Sequence, residues 1–205
     1  MQNKKPQILF IHGGMTFKNK QDYVNYLKNK EVSLENKKYW IQDVADKMKN
    51  VQVINPRMPN QDDAKYSDWK IYFERFIPEL NDGVILMGSS LGGIFLAKYL
   101  SENRFPKKIR ATYLICPPFD NTLPEEDLVG GFKLNSDLSL LEKNTEKLYL
   151  MFSRNDDVVP VSHADKYMKK LKHAELIIYE DKNGHFKISE FPEIMNLVKK
   201  DLRKK

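Results

Sequence analysis

Short apolar runs alternate with longer stretches of helical period along this chain, and few folds can be built on that rhythm. Six runs read as strands: Gln7–Ile11, Val51–Ile54, Val84–Met87, Ala111–Cys116, Leu148–Phe152 and Leu176–Tyr179. Between them the apolar spacing predicts helices around Gln21–Lys28, Tyr39–Lys49, Ala64–Leu80, Leu91–Asn103, Ser162–Leu171 and Phe191–Arg203. Strands that alternate with helices are the signature of βαβ units and a parallel sheet. Runs apolar on both faces suit strands covered by helices on both sides, so a three-layer α/β/α sandwich is expected. The 205 residues are enough for a single domain over residues 1–205. The stretch Pro117–Leu141 breaks the rhythm, with prolines at 117, 118 and 124 and Gly130-Gly131 in its middle. It is expected to be a loop or small insertion over one end of the sheet.

One segment carries chemistry. Gly88-Ser89-Ser90-Leu91-Gly92 is a Gly-x-Ser-x-Gly pattern centred on Ser90, with a strand run directly before it and a helix-forming run directly after. Alone the pattern is a weak signal; between a strand and a helix it is what a nucleophile elbow requires. The turn is so tight that glycine is needed two residues to either side of the serine. Phosphate binding is the competing use of such a turn, but the glycine spacing fits neither Gly-x-Gly-x-x-Gly nor a P-loop.

A serine hydroxyl needs an adjacent general base, itself oriented by a carboxylate. In chain order the elbow is followed by Ser153-Arg154-Asn155-Asp156-Asp157 after the fifth strand run and by Asn183-Gly184-His185-Phe186 after the sixth. The candidates are therefore Ser90, Asp156 and His185, each just past a strand's C-terminal end, where parallel sheets build their sites. Asp157 is the alternative acid; Asp156 is preferred because Asp157 leads straight into Val158-Val159-Pro160. An oxyanion hole needs two N–H donors where negative charge develops. The backbone of Leu91 is the expected first donor. The second is expected from His12-Gly13-Gly14-Met15, with Gly14 ahead of Met15. Of the other histidines, His12 is expected to pack beneath that loop, and His163 and His173 to lie on solvated surface. Trp40 and Trp69 are expected in the core, and Met15, Phe17, Phe119 and Phe186 are candidates for an apolar acyl site.

Together these residues resemble a small α/β-hydrolase, and within that fold the lidless retinoblastoma-binding-protein-like and YdeN-like serine hydrolases. The likeness runs through His12-Gly13-Gly14, Pro56-Arg57-Met58-Pro59, Trp69, the Ser90 elbow, Asp156 and His185, and covers essentially the whole chain. It implies cleavage of a small ester, thioester or activated amide through an acyl-enzyme on Ser90, with no cofactor or metal. The alternative is a protein-interaction module that keeps the hydrolase scaffold. Larger members open with an antiparallel hairpin for which there is no room before Ile8, so the sheet is expected to be six-stranded and all parallel, in order 2-1-3-4-5-6, with a minimal cap. The Lys- and Asn-rich connection over residues 15–40 is longer than the fold requires and is expected to flank the site.

The composition adds limits. Cys116 is the single cysteine and, at the end of an apolar strand run, is expected to be an inert core thiol; a formal charge of +6 comes from lysines scattered over helices plus a cluster at residues 199–205. A basic helix end complements the helix dipole, and no nucleic-acid motif accompanies it, so no specific nucleic-acid partner is expected. The first apolar run is shorter than a secretory leader's, and no window reaches the roughly 18 to 20 residues of a membrane helix. A soluble cytoplasmic protein, monomer or homodimer, acting on a small acyl substrate is the expectation.

Overall fold

The structure is a computed structural model that describes residues 4–35 and 37–203. Lys204 and Lys205, the end of the basic cluster, lie outside the described residues. Six strands form one sheet: β1 (Gln7–Ile11), β2 (Gln52–Ile54), β3 (Val84–Ser89), β4 (Ile109–Ile115), β5 (Leu148–Ser153) and β6 (Glu175–Tyr179). Every pairing is parallel and the order is β2-β1-β3-β4-β5-β6. The helices are α1 (Lys20–Asn29), α2 (Trp40–Lys47), α3 (Tyr66–Glu74), α4 (Leu91–Glu102), α5 (Ser139–Asn144), α6 (Ser162–Met168) and α7 (Pro192–Arg203).

Because successive side chains on a strand point to opposite faces, each apolar run feeds two cores. Leu9, Ile11, Leu86, Leu114, Leu150 and Phe152 join α3, α4 and α6 on one face. Ile8, Phe10, Ile85, Met87, Tyr113 and Met151 join α2 and α7 on the other. This is the α/β-hydrolase architecture, with helices on both sides of the sheet. Helix α7 is clamped from beneath. The fully buried Asp201 carboxylate accepts the Tyr113 hydroxyl at 2.5 Å and the Tyr149 hydroxyl at 3.2 Å and pairs with Lys147.

Three details differ from the sequence reading. The expected helix over 64–80 ends at Glu74 and resumes as a single 3-10 turn, Ile77–Glu79, because Pro78 has no N–H for an α-helical bond. The irregular stretch after Pro117 finishes in α5, a short helix that buries Leu141. His163 is fully buried rather than solvated: its Nδ1 accepts the Phe119 N–H at 2.9 Å and so fixes the loop that leaves β4. Among the described residues no helix is long and apolar enough to cross a membrane.

Candidate active site

The site begins with backbone strain. Ser90 stands at φ 53°, ψ −122°, between the end of β3 and the start of α4. A non-glycine residue rarely holds such a conformation unless its surroundings force it. Here the Ser90 N–H is tied to the Ile115 carbonyl at 2.8 Å, while its own carbonyl accepts from Gly93 at 2.8 Å. The flanking glycines are steric necessities. A Cβ on Gly88 would lie 2.3 Å from the Gly92 carbonyl oxygen, and one on Gly92 would lie 2.1 Å from that of Ile11.

Asp156 and His185 meet across the ends of β5 and β6. Both carboxylate oxygens of Asp156 lie on His185 Nδ1, at 2.8 and 2.9 Å, and the carboxylate is fully buried. Asp156 Oδ1 also accepts the N–H groups of Val158 at 2.9 Å and Val159 at 2.8 Å, which lock the carboxylate in place. Asp157 points elsewhere, paired with Lys187 at 3.0 Å in solvent. Burial works against an imidazolium at His185, but the Cys116 sulfur and the Asp156 carboxylate outweigh it and hold its pKa well above the ordinary 6.5.

Ser90 and His185 line one cavity of about 520 Å³ together with Gly13, Gly14 and Met15, in the size range of small-molecule sites. No hydrogen bond joins Ser90 to His185. The His185 Nε2 instead lies 3.8 Å from the Cys116 sulfur, which in turn is 3.9 Å from the Ser89 hydroxyl. The sequence reading assigns Cys116 to an inert core. It is fully buried, yet it directly follows β4 at the C-terminal edge of the sheet, at φ 41°. Its place directly after β4 was the available clue. Cys116, Asp156 and His185 offer metal-ligand atoms within 4.8 Å of one another. The Asp156 oxygens, however, are already taken up by three N–H donors, so a cation would first have to displace His185.

The loop after β1 packs against the elbow. An added Cβ on Gly13 would touch the Ser90 side chain at 3.3 Å, and one on Gly14 would meet the Gln61 carbonyl at 2.7 Å and Leu91 at 3.1 Å. Met15 donates its N–H to Gln61 at 2.8 Å, whereas the N–H groups of Gly14 and Leu91 have no acceptor among the described residues. His12 braces this loop: Nε2 accepts the Met58 N–H at 2.8 Å, so Nδ1 carries the proton shared with the Gly13 carbonyl at 2.5 Å. Burial lowers the His12 pKa, helped by the Arg57 charge and opposed by the bond to the Gly13 carbonyl. Trp69 lies in the core beneath, donating to the Pro59 carbonyl at 2.8 Å.

A family model described as serine hydrolase matches residues 33–200. The chain belongs to the serine hydrolase family. Among solved structures this serine hydrolase is similar to the ydeN gene product from B. subtilis, at 17% identity and TM-score 0.77 over 97% of this chain and 100% of that one. It is also similar to Est1E from Butyrivibrio proteoclasticus, at 13% identity and TM-score 0.57 over 98% and 90% of the two chains. A lipase-esterase related protein from Clostridium acetobutylicum ATCC 824 aligns at 10% identity and TM-score 0.60, over 98% and 94%. At these identities the likeness establishes a shared fold. Among curated proteins none matches.

Two expectations about the pocket need correction. Phe17 packs against Tyr23 and Tyr26, and Phe119 against Tyr167, so neither lines the cavity; Met15 and Phe186 do. Among the described residues the 15–40 connection reaches the cavity only at its two ends, through Met15, Tyr39 and Trp40. The sequence reading also passed over Glu126, a wall residue of the cavity carried by the loop after β4.

Proposed function

We propose that this serine hydrolase cleaves a small ester, thioester or activated amide through an acyl-enzyme on Ser90. The observation that carries the reading is the His185 ring, fixed by Asp156 at Nδ1, in the wall of the cavity that Ser90 also lines from a strained turn. Asp156 keeps the proton on Nδ1 and leaves Nε2 free to act as a base. As a substrate carbonyl seats against the elbow, the Ser90 hydroxyl turns to Nε2 and gives up its proton as it attacks. Catalytic hydrogen bonds that are loose before substrate binds commonly tighten in this way. The tetrahedral oxyanion is received by the N–H groups of Leu91 and Gly14, neither of which has another acceptor. His185 then protonates the leaving group, activates water and returns the serine. The chain is taken to be a single domain.

A panel of p-nitrophenyl esters of graded acyl length tests this. The wild type should turn over short-chain members, and Ser90→Ala should lose several orders of magnitude in kcat. Equal rates in the wild type and Ser90→Ala would overturn the proposal.

A further inference from the structure

The wall of the cavity contains one carboxylate with nothing to bind. Glu126 is partly buried beside Ser90 and His185, and among the described residues it makes neither a hydrogen bond nor an ion pair. Its backbone, in contrast, is firmly held. The next residue, Asp127, accepts the Thr16 hydroxyl at 2.5 Å through its carbonyl and pairs with Lys18 at 2.6 Å through its side chain. Thr16 in turn accepts the Val129 N–H at 2.9 Å, and Leu128 is buried. These bonds fasten the loop after β4 to the loop after β1, so the Glu126 side chain is presented to the site rather than left to wander.

Of the charges around it His185 attracts most strongly, while the Asp156 and Asp157 carboxylates repel it, and the His185 attraction is gone once that ring is neutral to take the Ser90 proton. Lys187 is near, but its ammonium is bound to Asp157 at 3.0 Å. Arg57, the other cation of the cavity wall, makes no ion pair with Glu126. Partial burial pushes the Glu126 carboxyl up from its ordinary pKa, the direction expected of a desolvated carboxylate that lacks a partner. A half-buried anion on a fixed backbone gains most from a cation that arrives with the ligand. The remaining wall includes Phe10, Trp40, Phe186 and the exposed ring of Tyr39. Aromatic faces tolerate an ammonium nitrogen and its alkyl groups alike.

We infer that Glu126 selects substrates carrying an ammonium nitrogen, a protonated amine or quaternary ammonium close to the scissile acyl bond. The inference rests on the acyl-transfer reading above. Glu126 is a specificity determinant: it holds the charged end while Ser90 and His185 act on the carbonyl.

Two matched ester pairs test it, each differing only in the positive nitrogen. Phenylalanine methyl ester against methyl 3-phenylpropionate puts the charge on the acyl side. Butyrylcholine against 3,3-dimethylbutyl butyrate puts it on the alcohol side. The wild type should prefer the ammonium member of at least one pair in kcat/KM. Glu126→Gln, nearly isosteric and without a bond to lose, should reduce that preference by about tenfold to a hundredfold, the range for a charged hydrogen bond. Its rate on the neutral partner should stay within about twofold, and Glu126→Lys should abolish the preference. Hydrolysis of both neutral esters with no preference in either pair overturns the inference and leaves the acyl-transfer reading standing. So does a Glu126→Gln loss of equal size on charged and neutral members, which would mark Glu126 as acting through His185. If no ester is turned over and no covalent serine adduct forms, the acyl-transfer reading itself has failed.

Discussion

Replacing Asp156 with Asn tests the site where its geometry is most explicit. The Val158 and Val159 N–H groups both converge on Oδ1, at 2.9 and 2.8 Å. An Asn side chain therefore keeps its oxygen at that position and places its NH2 where Oδ2 now stands, 2.8 Å from His185 Nδ1. A donor there favours the tautomer with the proton on Nε2, against which only the retained oxygen, already shared by two N–H groups and 2.9 Å from Nδ1, competes. In that tautomer the nitrogen facing the cavity no longer accepts the Ser90 proton. Inverting the tautomer in a triad costs about 10⁴ in kcat, or about 5.5 kcal/mol of barrier. The acid limb of kcat/KM carries a second signature. His185 must be neutral to act, and because its pKa is raised the wild-type limb should lie above pH 6.5. Loss of the Asp156 charge should move that limb downward. Steady-state ester hydrolysis from pH 5 to 10 measures both effects, with Asp157→Asn as the control. Asp157 makes only an exposed ion pair, so its loss should be nearly silent. Asp156→Asn activity within tenfold of wild type, or an equal loss in Asp157→Asn, would refute the assignment.

Gly14→Ala would place a Cβ 2.7 Å from the Gln61 carbonyl, so the loop must move; ester kcat should fall by about 10² or more if the Gly14 N–H serves the oxyanion. Asp201→Ala strips three buried or partly buried partners at once and should cost about 3 kcal/mol, or roughly 6 to 12 °C in Tm, read by thermal melts. His12 and His163 have lowered pKa values in the fold, so the unfolded chain takes up protons first as pH falls. Their stabilising contribution is complete above pH 6.5 and is lost as pH drops below it. Between pH 6.5 and 5 the Tm of His163→Gln should accordingly fall less steeply with acid than that of the wild type.

The sheet was legible because its evidence lies in local pattern. Runs such as Ile8-Leu9-Phe10-Ile11 send alternate residues into two separate cores, and that double burial is why the central runs are mostly apolar, while the edge strands β2 and β6 are only partly buried. The elbow was legible because only glycine fits at 88 and 92. Helix ends were blurred where one residue decided them, as at Pro78. What local pattern does not encode is the path of the loops. Thr16 reaches across 111 positions to Asp127, and that contact puts Glu126 beside His185; nothing near Glu126 in the chain announces it. His163 looked like surface because it sits on a polar helix, and its burial comes from the loop it holds. Cys116 was judged by its apolar neighbours, whereas its position at the sheet's C-terminal edge set its contact with His185.

The central claim is that Ser90 is a nucleophile activated by His185. Reaction with a fluorophosphonate followed by peptide mass spectrometry measures this directly, since the phosphonyl group stays on the attacking oxygen. The account predicts a single adduct on Ser90 that is absent in Ser90→Ala and strongly slowed in His185→Gln. An unlabelled wild type, or undiminished labelling in folded Ser90→Ala, would contradict it.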